Sequence, residues 1–225
     1  MFVIRDSEKS LANPTIEHRI TNIVTKKATQ IEFESLFFVT CFSKNTSIMP
    51  LFQMTGLSGA GKSSIANLLK DRLLAMNYKV EIIDGDEFRK TICADLGFSK
   101  EDRIENIKRL GFVANLLARN EIITIIAVIN PYNVARNDLK SLYDAKLIYV
   151  KCDVETLRKR DTKGLYERAF LPDNHSDKIY NLTGVNDTFE IPQGVDLEID
   201  TKLESIEESV QKLLNFILDS IFHTN

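Results

Sequence analysis

The stretch that decides the fold is Gly56-Leu57-Ser58-Gly59-Ala60-Gly61-Lys62-Ser63, a complete G-x-x-x-x-G-K-S pattern. It lies directly after the apolar run Leu51–Thr55 and directly before residues with helical periodicity. Glycines let successive backbone N–H groups converge on phosphate oxygens, and the N-terminal end of the following helix adds positive charge. In such loops Lys62 reaches the outer phosphates and the hydroxyl of Ser63 holds Mg²⁺. The pattern therefore predicts a phosphate-binding loop for a nucleotide; the alternative is a glycine turn that only joins strand to helix.

Size and charge narrow the class of protein. The chain has 225 residues, 44% of them hydrophobic, which fits one α/β domain with a short extra segment. Its 29 basic and 32 acidic residues give a formal net charge of -3, so no global field draws it to nucleic acid or an anionic membrane. Apolar runs fall short of the ~18 residues of a spanning helix, and the N-terminus lacks a secretory pattern. Three well-separated cysteines indicate neither a disulfide framework nor a metal clip. We therefore expect a cytoplasmic protein that binds neither nucleic acid nor membrane.

From residue 51 onward the sequence alternates between strand and helix patterns. Strands are predicted at Leu51–Thr55, Val80–Asp84, Ile122–Ile129, Leu147–Lys151 and Val195–Ile199. Helices are predicted from Lys62, between Asp86 and Arg119, after Pro131, from Asp153, and from Leu203 to about Leu218. The third and fourth strands are almost uninterruptedly apolar, which is typical of parallel strands covered by helices on both faces. The fold class is therefore α/β, a doubly wound parallel sheet whose ligands lie beyond the carboxyl ends of the strands.

Two helices carry apolar stripes that we expect to face the core. The stripe of the first helix is Ile65, Leu68, Leu69 and Leu73, and that of the last helix is Leu203, Ile206, Val210, Leu213, Leu214 and Ile217.

Residues 1–49 stand outside the alternation and contain one β-like run, Ile31–Phe42. We predict that they form an accessory or poorly ordered extension of unknown role before a domain at residues 50–225. An added edge strand, a partner-binding surface and a start at Met49 are the alternatives.

The second predicted strand ends in Asp84-Gly85-Asp86, with Arg89 close behind. In a chain with a phosphate loop, two carboxylates at a strand tip can take two separate roles in phosphoryl transfer. Asp84 is the candidate on the Mg²⁺ side, and Asp86 is the candidate general base for an attacking hydroxyl. A turn with Asp86 as the N-cap of the next helix is the alternative, and it is compatible with the chemical role.

A third polar cluster extends from Asp95 to Arg109. Within it, Arg103 and Asn106 are three residues apart and share one helix face, where a guanidinium and an amide can grip a phosphate and a sugar or base. Ser99 fits the N-cap of that helix. Phe98 could stack on a base or pack in the core, and taken alone it favours the core.

Six segments, taken together and in this order, resemble the adenylyl-sulfate kinase (APS kinase) family. They are Gly56–Ser63, Asp84–Asp86 with Arg89, Asp95–Asn106, Asn130–Tyr132, Arg160–Tyr166 and Leu182–Val185. The phosphate loop is generic, whereas D-G-D-x-x-R, D-L-G-F-S-x-x-D-R-x-E-N and R-D-x-K-G-L-Y are specific to this family. The likeness covers about residues 50–218 and implies a P-loop kinase-type sheet flanked by helices, with a lid segment. The family uses ATP and Mg²⁺ to phosphorylate the 3′-hydroxyl of adenosine 5′-phosphosulfate (APS), giving PAPS and ADP for sulfate assimilation.

The resemblance also implies roles for individual residues. Lys62, Asp86 and Lys163 would be catalytic, with Lys163 reaching in from the lid to neutralise charge between two nucleotides. Ser63 and Asp84 would lie at the metal. ATP would contact Gly56, Leu57, Ser58, Gly59, Ala60, Gly61, Lys62, Ser63, Ser64 and Arg160. The acceptor would contact Asp86, Arg89, Phe98, Arg103, Asn106, Ile129, Asn130, Lys163 and Leu182. The expected partners are ATP, APS and, as the candidate assembly, a second copy in a homodimer.

Three segments depart from the family pattern. Asn130 stands where the family often has serine, which excludes a phosphoenzyme on that side chain but leaves direct transfer intact. Leu182 stands where a phenylalanine usually clamps the base opposite Phe98, and loss of that ring removes about 0.5–1.5 kcal/mol of stacking. The lid segment Glu167–Tyr180 is longer than usual. Two alternatives therefore stay open: a kinase for another nucleotide-linked acid, such as a cytidine-based APS analogue, and a nucleotide-binding regulatory module without turnover.

Overall fold

The computed structural model describes residues 48–222, which contain a five-stranded parallel sheet. The strands are β1 (Leu51–Thr55), β2 (Val80–Asp84), β3 (Ile123–Ala127), β4 (Lys146–Lys151) and β5 (Leu197–Asp200), in the order β2-β3-β1-β4-β5. All four neighbouring pairs run parallel. The predicted run Ile31–Phe42 lies outside the described residues, so the role of residues 1–49 stays a prediction.

Seven helices within residues 48–222 connect and cover the strands. They are α1 (Lys62–Ala75), α2 (Gly85–Phe88), α3 (Lys100–Ala118), α4 (Asn133–Tyr143), α5 (Val154–Arg160), α6 (Leu165–Ala169) and α7 (Ile206–Phe222). The N-cap predicted at Ser99 is confirmed: the side chain of Ser99 accepts from the backbone N–H of Asp102 and so begins α3. None of the described helices is long and apolar enough to cross a membrane.

Each face of the sheet has its own hydrophobic core. One core joins α1 and α7 to β-strand side chains such as Phe52, Met54 and Val150, all fully buried. The other joins α3 and α4 to Ile83 and Ile126. Successive residues of a strand therefore pack on opposite faces of the sheet, as expected for a sheet covered by helices on both sides. The prediction of a doubly wound α/β fold is confirmed.

Several predicted boundaries are wrong by a few residues. The strand expected at Ile122–Ile129 is confined to β3, and the last strand begins two residues later and ends one residue later than expected. The last helix begins at Ile206 and not at Leu203, because Ser205 and Glu208 hydrogen-bond each other's backbone N–H groups in a capping box.

Three members of the predicted core stripes are exposed. They are Leu68 at 36%, Leu203 at 78% and Ile206 at 43% relative exposure. Leu203 lies before the first turn of α7, so helical periodicity does not apply to it. The remaining stripe residues are buried, so the predicted side of each helix does face the core. The buried stripe is narrower than predicted on both helices.

Gly111 allows α3 and α4 to approach each other closely. A Cβ built at this position would lie 2.2 Å from Cδ2 of Leu139 and 3.2 Å from Cε2 of Tyr143. We expect Gly111→Ala to lower the free energy of unfolding by about 1–2 kcal/mol, since overpacking outweighs the roughly 1 kcal/mol that alanine adds to a helix. Thermal melting should show a midpoint lower by about 2–6 °C. Adding Leu139→Ala should make the two changes less than additive; an unchanged or higher midpoint in the single variant would contradict this packing.

Candidate active site

The carboxyl ends of β1, β2 and β3 open into a cavity of about 660 Å³. Its walls come from the phosphate loop, the turn after β2, the first half of α3, the segment after β3, and the loop between α5 and α6. This is the edge at which ligands bind in parallel α/β sheets. Most of the predicted site residues therefore face one space.

The phosphate loop is held tightly against the sheet. Gly56 has φ of 151°, and a Cβ there would lie 2.2 Å from the backbone oxygen of Val150, so only glycine fits. Lys62 is buried and its ammonium donates to the carbonyls of Gly56 at 2.8 Å and Leu57 at 2.7 Å. Of the nine predicted loop contacts, six line the cavity: Ser58, Gly59, Gly61, Lys62, Ser63 and Ser64. The side chains of Leu57 and Ala60 pack in the core instead.

Lys62 has an unusual charge balance for a lysine. The pKa of Lys62 is lowered from 10.5 to about 7, mainly by burial and next by the nearby ammonium of Lys163, while the charges of Asp86 and Asp84 act in the opposite direction. Two carbonyl oxygens are weaker partners for an ammonium than a carboxylate or phosphate. A polyanion that enters the cavity would therefore replace the two carbonyls as the hydrogen-bond partner of this ammonium.

Asp84 joins the tip of β2 to the start of α1. One of its oxygens accepts from the backbone N–H of Asp86 at 2.8 Å, and the other accepts from the hydroxyl of Ser63 at 2.9 Å. The N-cap of α2 is thus Asp84, and the alternative in which Asp86 caps the helix is wrong. Hydroxyl and carboxylate oxygens are ligands that Mg²⁺ prefers. Residues 48–222 contain no group of three or more His, Cys, Asp or Glu that could hold a metal ion.

Asp86 and Lys163 meet across the cavity. The ammonium of Lys163 donates to Oδ2 of Asp86 at 2.8 Å, and both side chains are more than half exposed. This hydrogen bond is the main reason that the pKa of Asp86 lies below its usual range, against the opposing effect of burial. Asp86 is therefore a carboxylate at neutral pH, the form that can accept a proton.

Phe98 lines the cavity and is 55% exposed, so the reading that favoured the core when the residue was taken alone was wrong. The guanidinium groups of Arg89 and Arg103 lie 4.6 Å and 5.4 Å from the centre of its ring. Arg89 also donates to the carbonyl of Gly97 at 2.9 Å. An exposed aromatic ring flanked by guanidinium groups is a surface suited to stacking a nucleotide base.

Arg103 and Asn106 lie side by side on α3, as their spacing predicts, and both are buried at the cavity wall. Arg103 donates to the carbonyl of Phe98 at 3.0 Å and to the carboxylate of Asp187 at 2.8 Å. It therefore anchors the segment after the lid to α3 as well as facing the cavity. Oδ1 of Asn106 is buried and has no hydrogen-bond partner within the described residues, so it is a free acceptor for a donor on a ligand.

The segment after β3 forms the floor of the cavity through Ile129 and Asn130. The hydroxyl of Thr55 donates to the carbonyls of both, at 2.7 Å and 3.0 Å. Asn130 is 2% exposed with φ of 41°, and its amide nitrogen donates to Oε1 of Gln53 at 3.3 Å. Gln53 and Thr55 had not been singled out, although two polar residues inside an otherwise apolar strand are a readable signal.

Comparison with known proteins identifies the family. The adenylylsulphate kinase family model matches residues 50–200 of this chain. The chain belongs to the adenylylsulphate kinase family. An adenylyl-sulfate kinase of Picosynechococcus sp. is 44% identical over 161 residues, which cover 71% of this chain and 88% of the relative.

Solved structures of the APS kinase family have the same fold. The Mycobacterium tuberculosis APS kinase in complex with AMPPNP and APS superposes with a TM-score of 0.68 at 30% identity, covering 76% of this chain and 99% of that one. A hexameric APS kinase from Thiobacillus denitrificans superposes with a TM-score of 0.57 at 28% identity, covering 80% of this chain and 31% of that one. The P-loop kinase fold and the family predicted from the sequence are confirmed.

Outside the phosphate loop, two residues predicted from the APS kinase pattern do not line the cavity. Leu182 is 6% exposed, packs in the same core as Leu57 and does not line the cavity, contrary to its predicted contact with the acceptor. Burial of its aliphatic side chain is the more favourable outcome, because leucine has no aromatic face to offer a base. Arg160 donates to the carbonyl of Thr201 at 2.7 Å and lines a smaller pocket beside the phosphate loop, with Ser58 and Gly59.

The R-D-x-K-G-L-Y motif of this APS kinase family member ties the lid to the phosphate loop. The hydroxyl of Tyr166 donates to the carbonyl of Ser58 at 2.8 Å in a buried hydrogen bond. Asp161 accepts from the backbone N–H groups of Tyr166 and Glu167 and thereby begins α6. The motif includes Tyr166, but its sequence pattern predicts no role for this residue. Thr162 and Lys90 also line the cavity and had not been singled out.

Proposed function

We propose that this chain transfers the γ-phosphoryl group of ATP to the 3′-hydroxyl of APS, giving PAPS and ADP. The observation that supports this most strongly is the placement of two half-sites on one cavity. The phosphate loop with Lys62 lies on one side, and Phe98 with Arg89 and Asn106 lies on the other. Asp86 faces the space between them, where a hydroxyl of the second nucleotide would meet the outer phosphate of the first.

On the donor side, the triphosphate takes over the ammonium of Lys62 from the carbonyls of Gly56 and Leu57. Phosphate oxygens are charged acceptors and bind an ammonium more strongly than neutral carbonyls do. The backbone N–H groups of the loop and the N-terminal end of α1 hold the same phosphates. Bound ATP thus favours the protonated form of Lys62, which burial disfavours in the free protein.

On the acceptor side, Asp86 orients the attacking hydroxyl and accepts its proton. Only Oδ2 of Asp86 is hydrogen-bonded to Lys163, so Oδ1 is available while the ion pair is intact. When two nucleotides fill the cavity, Lys163 moves from the carboxylate to the negative charge that gathers between them. The carboxylate is then the nearest acceptor for the hydroxyl proton. The protein forms no covalent bond to the phosphoryl group and acts by positioning and charge.

Magnesium fits the pair of oxygen ligands at Ser63 and Asp84, which would hold the ion together with phosphate oxygens of ATP. When bound, Mg²⁺ neutralises charge on the transferred phosphoryl group.

We also infer a cytoplasmic enzyme that assembles with further copies of itself. A related APS kinase is hexameric, and for this chain the homodimer stays the candidate assembly, to be tested by measuring the mass in solution.

The reaction itself is the decisive test. Purified protein with ATP, Mg²⁺ and APS should form PAPS and ADP in equal amounts, each dependent on all three components. A cytidine-based analogue of APS should react with a kcat/KM at least about tenfold lower, because pocket contacts with the wrong base cost on the order of 1–3 kcal/mol. Nucleotide binding without any phosphoryl transfer would instead favour a regulatory module, and preference for the cytidine analogue would favour a different acceptor.

A further inference from the structure

Five cationic side chains line the cavity, and one of them is uncommitted. The five are Lys62, Arg89, Lys90, Arg103 and Lys163. Four are hydrogen-bonded within the protein: Lys62 and Arg89 to backbone carbonyls, Arg103 to Asp187, and Lys163 to Asp86. Within residues 48–222, the ammonium of Lys90 has neither a hydrogen-bond nor an ion-pair partner. Its charge is therefore available to a ligand.

The backbone holds Lys90 at a defined place on the acceptor side. Its N–H donates to the carbonyl of Glu87 at 3.0 Å, which extends the turn of α2 beyond the tip of β2. It directly follows the D-G-D-x-x-R motif, next to Arg89, and is not part of that motif. Among the smaller influences that keep the pKa of Asp86 low, after the dominant hydrogen bond from Lys163, is the charge of Lys90. The ammonium of Lys90 is thus within electrostatic reach of the proposed base.

The charge balance of the cavity favours an anion at Lys90. The two carboxylates of the β2 tip are already engaged, Asp84 by Ser63 and Asp86 by Lys163. The triphosphate of ATP is accounted for by the phosphate loop, which is a different element from the one that bears Lys90. The acceptor brings its own phosphosulfate anion to the side of α2 and α3. Unpaired positive charge at the wall of a cleft raises the local concentration of such an anion.

We propose that Lys90 is a further substrate-binding residue, whose ammonium binds the anionic group of the acceptor nucleotide. This inference rests on the proposed function, because it takes APS as the acceptor. Lys90 adds charge to the guanidinium of Arg89 without replacing the stacking surface of Phe98. Its effect belongs to binding of the acceptor and not to the transfer step.

Steady-state kinetics with the two substrates varied separately test the assignment. Lys90→Gln should raise the KM for APS about three- to tenfold, and Lys90→Glu should raise it further, while kcat and the KM for ATP stay within about twofold. Added salt should raise the KM for APS in the natural protein and do so less in Lys90→Gln, since an exposed charge pair is screened. Lys79→Gln is the matched control, because Lys79 is exposed before the opposite end of β2.

An unchanged KM for APS in both Lys90 variants would overturn the assignment, as would an equal rise in the KM for ATP. Calorimetric titration of APS in the presence of ADP separates this failure from failure of the proposed function. If the natural protein neither binds nor phosphorylates APS, both proposals fall. If it does both and Lys90→Gln matches it, only the role of Lys90 falls. Melting curves exclude an effect of misfolding in the charge-reversed variant.

Discussion

Asp86→Asn is expected to lower kcat for APS phosphorylation by about 10²–10⁴, the range typical for loss of a positioned general base. The amide keeps the shape of the side chain but cannot take the hydroxyl proton, and it removes the anion that Lys163 contacts at 2.8 Å. The KM for ATP should change less than kcat, because the side chain of Asp86 is hydrogen-bonded to Lys163 and not to the phosphate loop. Initial rates of ADP and PAPS formation, with each substrate varied in turn, give both parameters.

The matched control for Asp86→Asn is Asp71→Asn, the same chemical change at an exposed position of α1. It should leave kcat and both KM values unchanged. Lys163→Met separates two roles of Asp86. If Asp86 only held Lys163 in place, the two single variants and the double variant would have the same rate. A rate for Asp86→Asn within about threefold of the natural protein would remove Asp86 from the chemistry.

Short motifs predicted which side chains lie close together, because the positions of strand ends are a local property of the sequence. Ser63 and Asp84 were assigned to one metal from their positions after β1 and β2, and their oxygens lie 2.9 Å apart. The sequence did not reveal that β3 lies between those two strands in the sheet. Neighbouring carboxyl ends share one edge whatever the strand order, so the assignment did not need it. The same rule brought Asp86 and Asn130 to one cavity.

Contacts between distant segments could not be predicted in the same way. The guanidinium of Arg103 was expected only at the acceptor, yet it also binds Asp187, 84 residues further along the chain. Leu182 was expected in the cavity by analogy with an aromatic residue, and it packs in the core. In both cases the outcome depends on the path of the segment after the lid, which contacts α3 through Asp187 and joins the core around Leu57 through Leu182. Neither helical periodicity nor a motif encodes that path.

Lys62→Met is expected to lower kcat/KM for ATP by about 10²–10³, because it removes a buried, preorganised donor to the phosphate oxygens. The fold should tolerate the change. An ammonium buried without a carboxylate partner is costly, and methionine has a similar length without the charge. The melting temperature of Lys62→Met should therefore equal or exceed that of the natural protein, which distinguishes a defect in binding from a defect in folding.

The pH dependence of ATP affinity provides a second measure of Lys62. Its pKa is about 7 in the free protein, so above that pH most molecules must take up a proton before the ammonium can bind phosphate. Measured with EDTA, affinity should fall from pH 7.5 to 9 by up to about tenfold per unit, as one proton is bound with each ATP. In Lys62→Met the binding should be weaker but nearly independent of pH over this range. A parallel slope in both proteins would assign the proton to another group, and a flat profile in the natural protein would mean that Lys62 is charged before ATP arrives.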